Sequence, residues 1–166
     1  MRKLQFQQRN FTSVQILTQT KMLLYGILFP VMPSKKSTPE YTVKKSKAGL
    51  GLFALREYKR GDFIIEYTGE HISEEEANRR GGQYLFTLTK DITVDGKGRK
   101  NTSRYINHSC KPNAEAETDE DEMKIRILAK KKILPSEEIL YDYGKEHWEY
   151  HIKPHGCRCV PCVTKV

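Results

Sequence analysis

Four cysteines constrain this chain more than any other feature of its sequence. Three of them, Cys157, Cys159 and Cys162, lie within six residues near the C-terminus, and the fourth, Cys110, lies well before them. Two disulfides are conceivable in a secreted chain, but no clear secretory signal is present and the spacing is too tight for comfortable disulfide geometry. Four thiolates complete the ligand set of a tetrahedral zinc ion. The spacing therefore favours a four-cysteine zinc site over unrelated reduced thiols.

Length and charge limit the number of domains and the classes of protein to which this chain could belong. A chain of 166 residues fits one domain, or one domain with an appendage. The net charge of +8 first suggests nucleic acid, but residues 1–40 carry six of the 29 bases and only one of the 21 acids. The rest of the chain is close to balanced, whereas a nucleic-acid binder presents a basic face. We expect no direct nucleic-acid binding, and a mean hydropathy of -0.68 excludes a membrane-embedded protein.

The first forty residues differ in character from the rest of the chain. An apolar run from Met22 to Met32 contains Pro30 and is shorter than the ~20 residues that a membrane span needs. We interpret residues 1–40 as an N-terminal extension outside the fold, either a disordered or accessory segment or the product of a misassigned start codon with Met32 as the true first residue.

From Tyr41 onward the pattern predicts a mainly β domain. Short apolar and aromatic runs alternate with frequent turn signals, and the chain shows no internal repeat, no heptads and no alternating βαβ units. One helix is expected after Ser73, where Ser73 and Glu76 form a capping box and Gly81 provides the stop. Six acids between Glu115 and Glu122 indicate a solvated hairpin turn, or alternatively a docking patch for a basic substrate.

Three motifs carry candidate chemistry. Asn107 and His108 lie in a polar run that is costly to bury without partners, and they offer donors and acceptors suited to amine, carboxylate or adenine groups. Tyr141 and Tyr143, two residues apart, share one face of a strand, either as core-edge tyrosines or as phenols facing one channel. The glycines at positions 49 and 51 indicate a turn or the close approach of a backbone to a ligand.

Together these motifs resemble SET-domain protein-lysine methyltransferases with a post-SET zinc segment. The resemblance covers about Tyr41 to Cys162. It implies a β-clip-like fold of small curved sheets with a pseudoknot-like C-terminal crossing and one or two short helices. It also implies a SET domain over residues 41–146 and a post-SET zinc segment over residues 147–166. The gap between Cys159 and Cys162 is shorter than is usual in the family.

The resemblance also implies a function and a site. The function is methyl transfer from S-adenosylmethionine to a lysine amine of a protein substrate, a histone or histone-like basic protein. Tyr143 matches the catalytic tyrosine, Tyr141 the position that tunes the number of methyls added, and Tyr84 a wall of the lysine channel. The implied cofactor-binding residues are Lys47, Gly49, Gly51, Tyr67, Arg104, Asn107, His108 and Trp148. The implied zinc ligands are Cys110, Cys157, Cys159 and Cys162.

Some alternatives remain open from the sequence alone. Trp148 fits a core position and an aromatic cover for the adenine ring equally well. His147, His151 and His155 lie near the predicted zinc site, but the cysteines already fill four ligand positions, so we expect these histidines to be surface residues. The alternative function is a non-catalytic, zinc-stabilised module of the same architecture that binds basic peptides or nucleic acid. We expect no membrane association, and a cytoplasmic location, or a nuclear, chromatin-associated one if the substrate is a histone.

Overall fold

The computed structural model describes residues 38–164, so the predicted extension over residues 1–40 lies almost wholly outside the described residues. The strands are β1 Tyr41–Ser46, β2 Gly49–Ala54, β3 Phe63–Glu66, β4 Glu70–Ser73, β5 Leu85–Thr87, β6 Ile92–Asp95, β7 Asn107–His108, β8 Ala114–Asp119, β9 Lys124–Ala129 and β10 Leu140–Tyr141. The helical segments are α1 Glu74–Arg80, α2 Lys145–His147, α3 Val160–Val163, 3-10 turns at Thr102–Tyr105 and Lys153–His155, and a π-helix at Trp148–Ile152. None of the helices within this range is long and apolar enough to span a membrane.

The ten strands within residues 38–164 form four small sheets, which confirms the mainly β prediction. Strands β1 and β2 make an antiparallel hairpin, β3, β9 and β8 make one three-stranded sheet in that order, and β4, β6 and β5 make another. Strand β9 shows how the sequence sets this arrangement, because its residues alternate between half-buried and buried along the strand. That period of two places Ile125, Ile127 and Ala129 on the core face.

The core lies between the β1–β2 hairpin, the β3–β9–β8 sheet and the segment before β10. Leu52, Ile64, Ile127 and Ile139 are each at most 2% exposed and belong to one contiguous cluster. Burying one such side chain contributes about 1.5–3 kcal/mol. This cluster is continuous with partly buried Tyr143, so the core directly supports the candidate catalytic tyrosine.

Helix α1 forms as its sequence predicts. The Ser73 hydroxyl accepts a hydrogen bond from the Glu76 backbone N–H at 3.2 Å, and the Gly81 N–H bonds the Ala77 carbonyl at the other end. The Glu76 carboxylate does not complete the capping box, because it pairs with Arg79 and Arg80. Arg80 also pairs with Glu70 and the buried Asp95, which ties the helix to β4 and β6.

The chain crosses itself where β10 pairs with β7. The two strands are parallel, with Leu140 opposite Asn107 and Tyr141 opposite His108. On its other side, the segment that leads into β10 bonds to β2, because the Ile139 N–H donates to the Leu52 carbonyl at 2.8 Å. Residues 137–141 are therefore held between the hairpin and the polar run that contains Asn107 and His108.

One region differs in detail from the sequence prediction, and for another the sequence predicted no element. The acidic run is a hairpin turn only in its second half, since Glu115 and Glu117 belong to β8 and pair across to Leu128 and Arg126. The segment from Lys145 to His155 is helical throughout, in α, π and 3-10 turns. This segment has too few apolar side chains to show the 3.6-residue periodicity by which a helix is predicted from sequence.

Candidate active site and metal centre

Tyr143 and His108 meet at the crossing of β7 and β10. The Tyr143 hydroxyl donates to the Ile106 carbonyl at 2.8 Å, and the Tyr143 backbone N–H donates to His108 Nδ1 at 3.3 Å. A ring nitrogen that accepts a hydrogen bond carries no proton, so the neutral tautomer of His108 is protonated at Nε2. Burial lowers the pKa of His108, against an opposing effect of Asp142, and thus favours this neutral form.

A row of aromatic rings begins at Tyr143. The Tyr141 ring centroid lies 4.9 Å from that of Tyr143, and Phe86 lies 6.3 Å from Tyr141. Tyr67 continues the row at 5.4 Å from Phe86. Burial raises the pKa of all three tyrosines above the ordinary value of a phenol. Their hydroxyl groups therefore stay protonated at neutral pH, and those of Tyr67 and Tyr143 donate hydrogen bonds to backbone carbonyls.

Tyr84, Tyr67 and Arg104 form a second group beside this row. The Tyr67 hydroxyl donates to the Tyr84 carbonyl at 2.9 Å, and the Arg104 guanidinium carbon lies 4.2 Å from the centre of the Tyr84 ring. A hydrogen bond with Arg104 lowers the pKa of the Tyr84 phenol, although burial opposes this. Arg104 also donates to the Lys97 carbonyl, while its buried Nε has no hydrogen-bond partner within residues 38–164.

Asn107 joins the crossing to the β1–β2 hairpin. Its Nδ2 donates to the Leu50 carbonyl at 3.0 Å and to Glu138 Oε1 at 2.8 Å. Because both partners are acceptors, they fix the orientation of the amide. The Oδ1 atom is left as an acceptor. Glu138 begins the sequence motif that ends in Tyr143 and Gly144, but the sequence assigned it no role, because a glutamate beside another glutamate is usually solvated.

The two glycines of the hairpin occupy different surroundings. Gly49 has a φ of +117° and open space where a Cβ would point. The side of buried Gly51 that a Cβ would occupy is filled by the Glu138 carboxylate. Lys47 is exposed in the turn between β1 and β2, and no hydrogen bond or ion pair within residues 38–164 joins its side chain to the other candidate residues.

The four cysteines converge, although Cys110 lies 47 residues before Cys157 in the chain. Their Sγ atoms all lie within 4.8 Å of one another, with Cys110 at 3.5 Å from Cys162 and 3.9 Å from Cys157. Burial opposes ionisation of Cys159, but hydrogen bonds from the Cys110 backbone and the neighbouring thiols lower its pKa to about 7. Such a cluster of four thiols is the arrangement of a metal site.

The cysteine cluster contacts the candidate active site directly. Cys110 Sγ lies 3.4 Å from His108 Nε2, the nitrogen that carries the proton in the neutral tautomer. The His108 ring therefore lies between the Tyr143 backbone and a cysteine of the cluster. Trp148 is also a neighbour of His108, with its ring centroid 5.7 Å from that of the imidazole.

His147 is a neighbour of Tyr143, although its position in the sequence suggested a surface residue. Its ring centroid lies 4.6 Å from that of Tyr143, edge to face, and 4.6 Å from that of His151. Burial, together with His151 and His108, lowers the pKa of His147 to about 4. Its position four residues after Tyr143 was the available signal, but it becomes informative only once the segment is known to be helical.

Comparison with known proteins agrees with this geometry. The chain matches the family model of the SET domain over residues 49–144, more than half of its length. It is 37% identical over 133 residues to "Histone-lysine N-methyltransferase trr" of Drosophila melanogaster, an alignment covering 74% of this chain and 6% of that protein. It is 40% identical over 105 residues to "Histone-lysine N-methyltransferase, H3 lysine-4 specific" of Schizosaccharomyces pombe, covering 57% of this chain and 11% of that protein.

A third relative, "Histone-lysine N-methyltransferase ASHH1" of Arabidopsis thaliana, is 37% identical over 115 residues, 63% of this chain. The alignment covers 23% of that protein, so this chain spans less than a quarter of the length of each of these three relatives. The region that matches the family model contains the β2 glycines, the Asn107–His108 run and Tyr143. The chain is a member of the SET-domain family.

Proposed function

We propose that this protein is a protein-lysine N-methyltransferase that transfers the methyl group of S-adenosylmethionine to the side-chain amine of a lysine in a histone or histone-like protein. Membership of the SET-domain family and the names of the relatives support this proposal. The single observation that carries it is the fixed position of the Tyr143 phenol, 2.8 Å from the Ile106 carbonyl and surrounded by Tyr141, His108 and His147.

The aromatic cluster suits the proton chemistry of this reaction. A free lysine has a pKa of about 10.4 and is charged at neutral pH, so its ammonium must lose a proton before it can act as a nucleophile. In the proposed site, the rings of Tyr141, Tyr143 and Phe86 would exclude water from the lysine side chain and thereby favour the neutral amine. The tyrosines stay protonated, so they orient the amine as hydrogen-bond donors and acceptors, and the proton leaves through water.

The candidate cofactor residues fit a ligand with amine, carboxylate and adenine groups. Asn107 offers Oδ1 as an acceptor, Arg104 offers a buried Nε without a partner in the described chain, and Gly49 leaves open space beside the hairpin. In the proposed site, these residues hold S-adenosylmethionine together with His108, Trp148, Lys47, Gly51 and Tyr67. The bound cofactor supplies a methyl group activated by a positively charged sulfur.

We further propose that the cluster of four cysteines holds zinc. Tetrahedral zinc thiolates with Zn–S bonds of ~2.3 Å place their sulfurs about 3.8 Å apart. The Sγ distances of 3.5 Å and 3.9 Å from Cys110 agree with that spacing. A zinc ion here ties the proposed post-SET segment, residues 147–166, to the end of the proposed SET domain, residues 41–146.

Methyl transfer to mixed histones tests the proposal. The protein is incubated with labelled S-adenosylmethionine and core histones, and the histone-bound label is measured. We expect label on histones with the wild type and far less with Tyr143→Phe. A folded, zinc-loaded protein that binds no S-adenosylmethionine and instead binds DNA with a steep salt dependence contradicts it, because that is the behaviour of a non-catalytic binding module.

A further inference from the structure

The carboxylate of Glu138 connects two parts of the candidate cofactor site. Its Oε1 accepts a hydrogen bond of 2.8 Å from Asn107 Nδ2, and its Oε2 accepts one of 2.8 Å from the Ser46 hydroxyl. Ser46 is the last residue of β1, and Asn107 begins β7. A single side chain therefore links the hairpin to the polar run that pairs with β10.

The backbone of Glu138 makes contacts on both sides, and these contacts fix the point from which its side chain extends. Glu138 pairs with Phe53 of β2 in an isolated antiparallel bridge. Its carbonyl accepts a hydrogen bond of 2.8 Å from Asn113 Nδ2. These contacts place the side chain between β2 and β7, where its two oxygens are both occupied.

The Glu138 carboxylate leaves no room for a side chain at position 51. A Cβ built at Gly51 would overlap Glu138 Oε1 and would lie 2.9 Å from the Ser46 Cβ. The overlapping atom belongs to a side chain that is itself bonded at both oxygens, so it cannot move aside without breaking a hydrogen bond. The second glycine of the hairpin is therefore required by Glu138 even before any ligand is considered.

We propose that Glu138 is a positioning residue of the cofactor site, which fixes the Asn107 amide so that Oδ1 faces the amino group of the bound cofactor. This inference rests on the proposed function. Asn107 Nδ2 has two protons, and Glu138 and the Leu50 carbonyl accept both, so Oδ1 is the atom that the amide offers to a ligand. Loss of Glu138 removes one of the two anchors and lets the amide rotate.

Two substitutions at Glu138 separate hydrogen bonding from charge. In Glu138→Gln, the amide oxygen can still accept from Asn107, which keeps the anchor of that amide. Glu138→Met has a similar length but supports no hydrogen bond of this kind. Binding of S-adenosylmethionine and of its uncharged-sulfur product, S-adenosylhomocysteine, is measured by titration calorimetry. Glu120→Gln, an exposed carboxylate in the β8–β9 turn, is the matched control.

We expect Glu138→Met to weaken binding of both ligands about tenfold or more, as the loss of a hydrogen bond to a charged group implies. Glu138→Gln should bind S-adenosylhomocysteine within about threefold of the wild type, and Glu120→Gln should match the wild type. If Glu138→Met binds both ligands like the wild type while melting at a similar temperature, the inference is wrong. Equal weakening by Gln and Met also contradicts it, since charge alone would then explain the effect.

The Gly51 contact provides a second, independent test. Gly51→Ala should weaken cofactor binding by displacing the Glu138 carboxylate. In a Glu138→Ala background, where the side chain no longer reaches position 51, the same change should cost much less affinity. Additive losses would overturn the inference, because residues that act through one contact are not additive. If the wild type itself binds neither ligand, the proposed function is wrong. If the wild type binds them and the variants do not behave as expected, only the role proposed for Glu138 is wrong.

Discussion

The phenol of Tyr143 donates a hydrogen bond of 2.8 Å to the backbone carbonyl of Ile106, 37 residues earlier in the chain. The same residue donates its backbone N–H to His108 Nδ1 at 3.3 Å. Tyr143 is therefore anchored at the hydroxyl and at the backbone by β7 and the residue before it. The pairing of β7 and β10 thus sets the position of the phenol.

Tyr143→Phe should abolish most methyl transfer while leaving cofactor binding nearly intact. The hydroxyl oxygen is expected to accept C–H contacts from the transferred methyl group, and removing one positioned polar group from a catalytic site costs about 10²–10³-fold in rate. The lost bond to Ile106 should lower the free energy of unfolding by only about 1 kcal/mol. Steady-state kinetics and calorimetric titration of S-adenosylmethionine check both parts. Turnover close to that of the wild type would exclude the proposed role.

Tyr141→Phe should shift the products toward more highly methylated lysine. Tyr141 is buried and its ring lies 4.9 Å from that of Tyr143. Its hydroxyl can hold a water molecule in the space that a second or third methyl group needs, so tyrosine favours mono- and dimethyl products. The distribution of methylation states is measured by mass spectrometry at matched turnover. Identical distributions for the two proteins would count against this explanation.

Removal of the proposed zinc ion should weaken cofactor binding and destabilise the fold. Cys110 contacts His108, which in turn holds the backbone of Tyr143, so loss of the metal releases one side of the site. Cys157→Ser should lose bound zinc, melt at a lower temperature and bind S-adenosylmethionine more weakly. Arg158→Ala, an exposed residue between two of the cysteines, should keep its zinc and serves as the control. A metal-free protein with unchanged melting temperature and affinity would contradict this coupling.

The stability of the protein should fall in mild acid partly because of His147. Burial, His151 and His108 lower its pKa in the folded protein to about 4, below the ordinary value of 6.5. The unfolded chain therefore binds a proton first as the pH drops. The contribution of His147 to stability is fully present above a pH of about 6.5 and is lost as the pH falls toward about 4.

Urea unfolding at about pH 7.5 and about pH 5 measures this contribution. Because His147 is only half-buried, solvent screening reduces the expected loss to about 1 kcal/mol. Between the two pH values, the free energy of unfolding of His147→Phe should fall by about 1 kcal/mol less than that of the wild type. His155→Phe, which replaces an exposed histidine of the same segment, should behave like the wild type. Equal losses in all three proteins would show that His147 does not contribute.

Local features of the fold could be predicted because each has a short-range cause. The cap at Ser73, the alternation along β9 and the closeness of Tyr141 to Tyr143 all depend on residues a few positions apart. The convergence of the four cysteines was also predictable, because tightly spaced thiols that cannot form disulfides have few other stable arrangements.

Contacts between distant residues could not be predicted in the same way. The crossing that brings Tyr143 to His108 was expected only from the family resemblance, since no local pattern specifies which strands pair. Glu138 was missed because its position depends on partners from β1 and β7 that no spacing reveals. The contact of His147 with Tyr143 was missed because it depends on a helical turn without apolar periodicity.

The most direct test of the proposed function is to locate the transferred methyl group. Core histones are incubated with trideuteromethyl-labelled S-adenosylmethionine and either the wild type or Tyr143→Phe, and their peptides are sequenced by tandem mass spectrometry. The proposed function predicts deuterated methyl groups on the side-chain nitrogen of specific lysines with the wild type and almost none with Tyr143→Phe. Label on another residue type, or equal lysine labelling by the two proteins, would contradict it.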